Sequence, residues 1–368
     1  MSVVVTVLSM IVILGLVIFI HEFGHFLLAK KNDVGVVEFA VGLGPKLFSW
    51  VKKGTRYSIK LIPFGGYCMM LGDENTLPDE SGEDVVNDDE HAFNKKPLLV
   101  RIAVIAAGPI FNFALALLFA VVLTAMIGTT PSKIAATIQD YPAAEAGLKA
   151  GDEIVKLDHT RVHLFKDIQL YMALHEGEEI KITYRRGGET FETTLKPVYD
   201  EEEGRYLIGI LMPERTRDLN VFEVLKYGWF DFAYNTKVVF KSLGMLFTGK
   251  ASLNDLSGPV GMAGVVNDIV NEVGEDTKNE PFLTKAYWLI VNLMNFIVLL
   301  SANLGIMNLL PIPGLDGGRL LLLIVEGIRR KPLDKKAERI VTLIGFGLLL
   351  LLMVVVFFND IRKVFFHA

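Results

Sequence analysis

Four apolar stretches govern what this chain can become. The first runs from Val3 to Ile20 and resumes after a polar interruption to Ala29. The second covers about Leu98 to Ile127, the third Ala286 to about Leu310, and the fourth Ile340 to Phe358. Each reaches the roughly 20 residues with which a helix crosses the hydrocarbon core of a bilayer. Hydrophobic residues are 51% of the chain, too many for an ordinary soluble enzyme. The first stretch does not read as a cleavable signal peptide. It lacks a basic n-region, and His-Glu-Phe-Gly-His follows where a small-residue cleavage site would stand.

Orientation follows from the basic residues. Lys30, Lys31, Lys46, Lys52, Lys53, Arg56, Lys60, Lys95, Lys96 and Arg101 fall between the first two spans. Arg319, Arg329, Arg330, Lys331, Lys335, Lys336 and Arg339 fall between the last two. Basic flanks mark the cytoplasmic side. Both termini and the segment between spans two and three are therefore expected outside the cell membrane. The acidic run Asp73 to Glu90 reads as a solvated face of the first cytoplasmic loop. No basic arm or aromatic-basic interleaving points to nucleic acid, so none is expected as a partner. The single cysteine, Cys68, excludes an internal disulfide framework and a cysteine-based zinc site, and reads as a buried small residue.

The fold class expected is an α-helical polytopic membrane protein with four transmembrane helices, a membrane-associated β segment and an inserted mixed α/β domain. Transmembrane helix 1 occupies residues 1–30. Residues 31–97 hold the β segment and acidic loop, with Arg56–Pro63 the best strand, and transmembrane helix 2 occupies 98–128. Residues 129–213 read as the one sizeable outward domain. Its expected strands are Ala135–Gln139, Glu153–Leu157, Glu179–Arg185 and Thr190–Lys196, with helices at Ala143–Gly147 and Phe165–Leu174. Residues 214–285 read as an amphipathic interfacial linker. Its aromatics Phe222, Tyr227, Trp229, Phe230, Phe232, Tyr234 and Phe240 suit a helix at the membrane interface or one packed on the domain. Transmembrane helix 3 and the Leu-Asp-Gly motif at its end occupy 286–318, a basic loop 319–339, and transmembrane helix 4 with the tail 340–368.

The chemistry sits in the polar interruption. His21-Glu22-Phe23-Gly24-His25 matches HExxH, in which residues four apart share a helix face, so both imidazoles can reach one ion. Glu22 can polarise a water on that ion, and zinc lowers such a water's pKa toward about 7. Two imidazoles and a carboxylate inside a span are expensive in lipid and call for a functional or pairing reason. A helix over Val3–Ala29 is about 40 Å long, which puts His21 about 12 Å from its cytoplasmic end. A catalytic zinc usually takes a third protein ligand. Asp316, in Asn308-Leu-Leu-Pro-Ile-Pro-Gly-Leu-Asp-Gly-Gly318, is the best candidate. Pro311 and Pro313 break the helix there, and Gly314, Gly317 and Gly318 permit unusual backbone. An ordinary helix stop with Asp316 as its cap stays open on spacing alone, and Glu326 and His91 are weaker candidates.

HEFGH together with NLLPIPGLDGG resembles the site-2 protease family of intramembrane metalloproteases, in its bacterial RseP-type branch. IPFGGYCMMLGD at 62–73, AAGPIFNFALAL at 106–117 and SGPVGMAGVV at 257–266 agree with it. The resemblance implies His21, His25 and Asp316 as zinc ligands, Glu22 as general base and Asn308 as a polar residue that holds substrate or intermediate. Asn112, in span two, reads as an interhelical hydrogen bonder. Ala144-Glu-Ala-Gly-Leu-Lys-Ala-Gly-Asp-Glu-Ile154 resembles the signature of PDZ domains, which bind extended peptides at a sheet edge or here act as a size filter. The implied function is an intramembrane zinc (Zn2+) metalloendopeptidase. Its partners would be the lipid bilayer and single-span membrane protein substrates, such as anti-sigma factors or signal-peptide remnants. Those substrates would be held extended on an exposed edge of Arg56–Pro63. The competing readings are a non-catalytic membrane adaptor presenting a PDZ-like domain and a metal-binding transporter or sensor. Four spans without an inverted repeat disfavour the transporter.

Overall fold

The computed structural model describes residues 3–73, 90–250, 252, 258–331 and 335–366. The acidic run expected at Asp73 to Glu90 lies almost wholly outside the described residues. The chain begins with α1 (Val3–Lys31), β1 (Val36–Lys52), β2 (Thr55–Met70) and α2 (Leu98–Ile127). Then come α3 (Pro142–Glu145), β3 (Glu153–Leu157), β4 (Thr160–Arg161), α4 (Phe165–Leu174), β5 (Ile180–Arg186), β6 (Glu189–Leu195), β7 (Val198–Asp200) and β8 (Arg205–Leu207). It ends with α5 (Val221–Phe247), α6 (Pro259–Asp276), α7 (Phe282–Leu309), α8 (Asp316–Arg329) and α9 (Lys335–Phe366). These elements form two compact units, Met1–Phe119 with Val239–Ala368, and Ala120–Val238.

In the first unit the apolar stretches are helices because lipid offers no partner to a backbone amide, so each N–H and C=O must be met within the segment. Among the described residues, four helical segments are long and apolar enough to cross a membrane: α1, α2, α7 and Ile340–Lys363 of α9. Each lies within a few residues of the stretch read from hydropathy. The seam between α1 and its neighbours is dry. Met10, Ile13 and Val17 of α1 pack with Leu115 of α2, Val266 and Val270 of α6, and Ile297 of α7. The expected interfacial linker is thus only partly that. Its second half, α6, buries Val266, Val270 and Val273 in the bundle, because valines at i, i+4 and i+7 make an apolar stripe. The Asp360 carboxylate of α9 accepts from the backbone N–H groups of Gly258 and Gly261, at 3.2 Å and 2.8 Å, and so caps the start of α6.

The β segment is more folded than expected. Residues 38–41 of β1 pair on one side with 56–59 and on the other with 66–69, while 48–51 of β1 pair with 56–59 again. Each long strand therefore works as two legs, and the four legs form a mixed sheet in the order 48–51, 56–59, 38–41, 66–69, the two central legs parallel and each outer leg antiparallel to its neighbour. Gly42 and Gly44 in β1 and Gly65 in β2 take positive φ where the legs change course, backbone that glycine reaches freely. Two expectations need correcting. The strand does not end at Pro63 but runs to Met70. Arg56–Ile59 is also not an open edge, since both of its sides are hydrogen-bonded. Edges belong to the outer legs, and the leg at 66–69 is the one that packs near α1.

The second unit holds the α/β domain. Its sheet has the order β4-β3-β5-β6, all neighbours antiparallel. Ile134, Leu148, Ile154, Leu157, Phe165, Ile168, Ile180 and Ile182 form its core. Ile180 and Ile182 alternate on β5, and a bulge between Ile154 and Lys156 lets Ile154 and Leu157 of β3 join the same core. Ala135–Gln139 does not form a continuous strand. It pairs only briefly with 209–211, through Ala135 N–H to Leu211 O and Ile138 N–H to Gly209 O. Arg186 clamps the signature loop. Its Nε and Nη2 each donate to Asp152 at 2.7 Å, and Nη2 also reaches Gly147 O at 2.8 Å.

Candidate metal centre

Three expected residues converge in the first unit. Asp316 Oδ2 lies 3.1 Å from His21 Nε2 and 3.2 Å from His25 Nε2, and the two Nε2 atoms are 3.3 Å apart. Among the described residues this is the one such convergence of three or more His, Cys, Asp or Glu side chains. The two weaker candidates are elsewhere. Glu326 forms a two-pronged pair with Arg101, and His91 Nδ1 sits 2.8 Å from Asp33 Oδ2.

The local chain explains each placement. His21 and His25 are one turn apart on α1, both buried. α2 approaches closely there because two glycines lack side chains. A Cβ on Gly24 would lie 2.5 Å from Ala107 O, and one on Gly108 would lie 2.3 Å from His25 Nε2. Asp316 arrives by a tight reversal. α7 stops at Leu309, and α8 starts at Asp316 itself. A Cβ on Gly317 would meet Leu310 O at 2.1 Å, and one on Gly318 would meet Ile312 O at 2.4 Å. The glycine pair after Asp316 thus lets α8 fold back against the linker. Residues 319–329, expected as basic loop, continue this helix. Arg319 on its first turn grips Asp73 with two 2.7 Å hydrogen bonds.

The donor set fits a zinc ion. Asp316 Oδ2 is buried without a hydrogen-bond partner despite its two close nitrogen neighbours. With each imidazole carrying its proton on Nδ1, the two Nε2 lone pairs and the carboxylate oxygen face a common point. Tetrahedral zinc with bonds of about 2.0–2.1 Å needs donor separations of roughly 3.3 Å. The tautomers agree. His25 Nδ1 donates to Val104 O at 2.9 Å, which leaves Nε2 unprotonated in the neutral ring.

His21 has a partner that sequence reasoning gave a different job. The Asn112 side-chain amide lies 3.1 Å from His21 Nδ1, and Asn112 is fully buried. With its nitrogen toward the ring, Asn112 Oδ1 is an orphaned acceptor. A 180° turn of the amide lets Oδ1 accept from His21 Nδ1–H. Asn112 is then an orienting neighbour of His21 as well as an interhelical contact, since its own carbonyl accepts from Ser301 of α7 at 2.8 Å. Its position four residues after Gly108, one turn along α2, is the signal that could have found it. Asn308 stands further off, its Nδ2 3.5 Å from both His21 nitrogens. Glu22 turns toward the β segment, where a Cβ on Gly66 would lie 3.3 Å from Glu22 Cγ. Cys68 of the same leg is buried, as expected.

The model of Peptidase family M50 matches residues 9–352. The chain belongs to peptidase family M50. A Clostridium acetobutylicum protein, provisionally named a zinc metalloprotease, is 40% identical over 94% of this chain and 94% of its own. The regulator of sigma-W protease RasP of Bacillus subtilis is 32% identical over 98% of this chain and 99% of its own. The PDZ domain of an SdrC-like protein from Listeria monocytogenes aligns with 22% of this chain and 84% of its own length. The identity is 26% and the TM-score 0.21, too low to assign the α/β domain. As an M50 member the chain is a zinc metalloendopeptidase on a multi-pass membrane scaffold. The adaptor reading is set aside.

Proposed function

We propose that this M50 protease cuts the transmembrane segment of single-span substrates at a zinc held by His21, His25 and Asp316. The observation that carries this is the convergence of the three donor atoms at 3.1–3.3 Å around an unpartnered buried oxygen. When bound, zinc there would act as a Lewis acid on the scissile carbonyl and lower the pKa of water. The protein groups do the rest. Glu22 takes a proton from the attacking water and returns it to the leaving amine. Asn308 is within reach to hold a carbonyl oxygen of the substrate or intermediate. Val104 O and Asn112 hold the two imidazoles in the tautomer that leaves each Nε2 free.

A helical substrate hides its carbonyls in its own hydrogen bonds, so it must unwind before cleavage. The leg 66–69 is better placed than Arg56–Pro63 to receive it as an added strand, because it is an outer leg and Gly66 packs on Glu22. On the domain, a cavity of about 310 Å³ lies between α4 and residues 207–211, walled by Phe165, Ile168, Met172 and Ile210. This groove suits an extended peptide in the PDZ manner. The basic loops favour both termini and this domain on the extracytoplasmic side of a bacterial plasma membrane. The relative named for sigma-W regulation favours membrane-anchored anti-sigma factors as substrates, with signal-peptide remnants of the same chemical class. The test incubates wild type and Glu22→Gln with a panel of single-span substrates and maps products by mass. Cleavage by wild type alone, inside the apolar segment, is expected. Cuts confined to soluble flanks would sink the proposal.

A further inference from the structure

The second unit has a cavity that neither the metal centre nor the peptide groove uses. It measures about 500 Å³ and lies between the β4-β3-β5-β6 sheet and the N-terminal half of α5. Lys156, Arg161, Arg185 and Lys226 line it, with Thr183 and Thr190 beside them. Glu153 is the one carboxylate among its lining residues, and it is engaged by Arg185 at 3.5 Å. Lys156, Arg161 and Lys226 make no ion pair among the described residues. Nearby, Lys166 pairs with Asp231, Lys237 with Asp167 and Arg186 with Asp152, so those carboxylates are already taken, and Lys226 rests over the Tyr227 and Phe230 rings. Unmatched cations gathered on one concave wall focus a positive potential that an anion would neutralise. His163 reports that field. Burial lowers its pKa, and the charges of Lys237, Arg161 and Lys226 lower it further against Asp167. Its ring stacks on Phe230 at 4.0 Å and gives the cavity an aromatic wall.

The neighbouring face of α5 indicates where the anion comes from. Phe222, Leu225 and Trp229 are 83%, 52% and 53% exposed. At i, i+3 and i+7 they form one apolar stripe, and Lys226 borders it. An exposed aromatic stripe rimmed by cations is the pattern of a helix lying in the headgroup layer. We propose that this cavity binds the phosphate of an anionic phospholipid headgroup, with the acyl chains running along the Phe222, Leu225 and Trp229 stripe. Lys156, Arg161 and Lys226 would meet the phosphate oxygens, and the Thr183 and Thr190 hydroxyls would donate to the headgroup.

The test uses the full chain, delipidated in a neutral detergent and titrated with phosphatidylglycerol or phosphatidylcholine under native mass spectrometry. The variants are Lys156→Gln/Lys226→Gln and, as control, Lys181→Gln, whose partner is Glu192. Wild type and control should retain one phosphatidylglycerol in preference to phosphatidylcholine, and the double variant should bind it at least tenfold more weakly. Unchanged cleavage of a single-span substrate in detergent shows that the double variant is folded. Equal lipid retention by the double variant overturns the proposal. So does binding of inorganic phosphate or an acidic peptide, measured separately, without a preference for phosphatidylglycerol.

Discussion

Single side chains divide the labour at the proposed zinc site, and each division can be measured. Glu22→Gln keeps the shape and removes the base, so it should abolish cleavage while zinc content of the purified protein stays near one per chain. A variant that cleaves at wild-type rate would remove Glu22 from the mechanism. Asn112 acts only through His21. Asn112→Leu should weaken zinc about 10–100-fold, read by competition with a chelating dye, and Asn112→Gln should restore part of it. Outside the membrane, Asp152 is the informative carboxylate. Burial opposes its ionisation, yet the Arg186 hydrogen bonds, the Lys149 N–H and the Arg186 and Lys149 charges hold its pKa below the ordinary value. A depressed folded pKa adds stability that is complete above the unfolded value of about 3.9 and is lost as pH falls through the folded one. Arg186→Met should therefore destabilise the α/β domain by about 1–3 kcal/mol at pH 7. The difference from wild type should shrink below pH 4, with urea midpoints read by pulse proteolysis of the solubilised chain.

Elements bring those side chains together through missing atoms more than through added ones. Gly24 and Gly108 let α1 and α2 approach until the imidazoles face α2 backbone, and Gly317 and Gly318 let α8 begin at Asp316. A methyl at Gly108 has no room beside His25 Nε2. Gly108→Ala should lower zinc content more than Gly244→Ala, which meets open space, with metal measured on both purified proteins. The β segment shows the same economy. Positive-φ glycines turn two long strands into four legs, so the strand with the strongest β composition, Arg56–Pro63, ends up inside the sheet while a glycine-containing leg takes the edge beside Glu22.

At the scale of the molecule, the elements that carry the proposed zinc ligands lie nearly 300 residues apart in the chain, and the ion would be a cross-link between α1 and α8. Chelation should abolish cleavage, and added zinc should restore it. Chelation should also loosen α8, seen as faster hydrogen exchange at residues 316–323 with little change in β3 to β6. Uniform exchange in both regions would mean that the ion does not tie α8 to the bundle.

Much of this was readable without coordinates. Hydrophobic run length alone located the four candidate spans, because lipid compels helices wherever apolar residues run long enough. The i, i+4 spacing in HEFGH placed two imidazoles on one face, and the Pro–Gly chemistry after span three marked Asp316 as able to leave a helix. Local rules end there. Asp316 could have been a mere cap, Asn112 a mere interhelical contact, and α6 a surface helix, since pattern within one segment says nothing about what packs against it. Only the packing of α1, α2, α6, α7 and α8 brought Asp316 to the imidazoles, Asn112 to His21 and α6 into the bundle, and it also chose which leg of the β segment reaches Glu22, because contact between distant segments is a property of the packed chain.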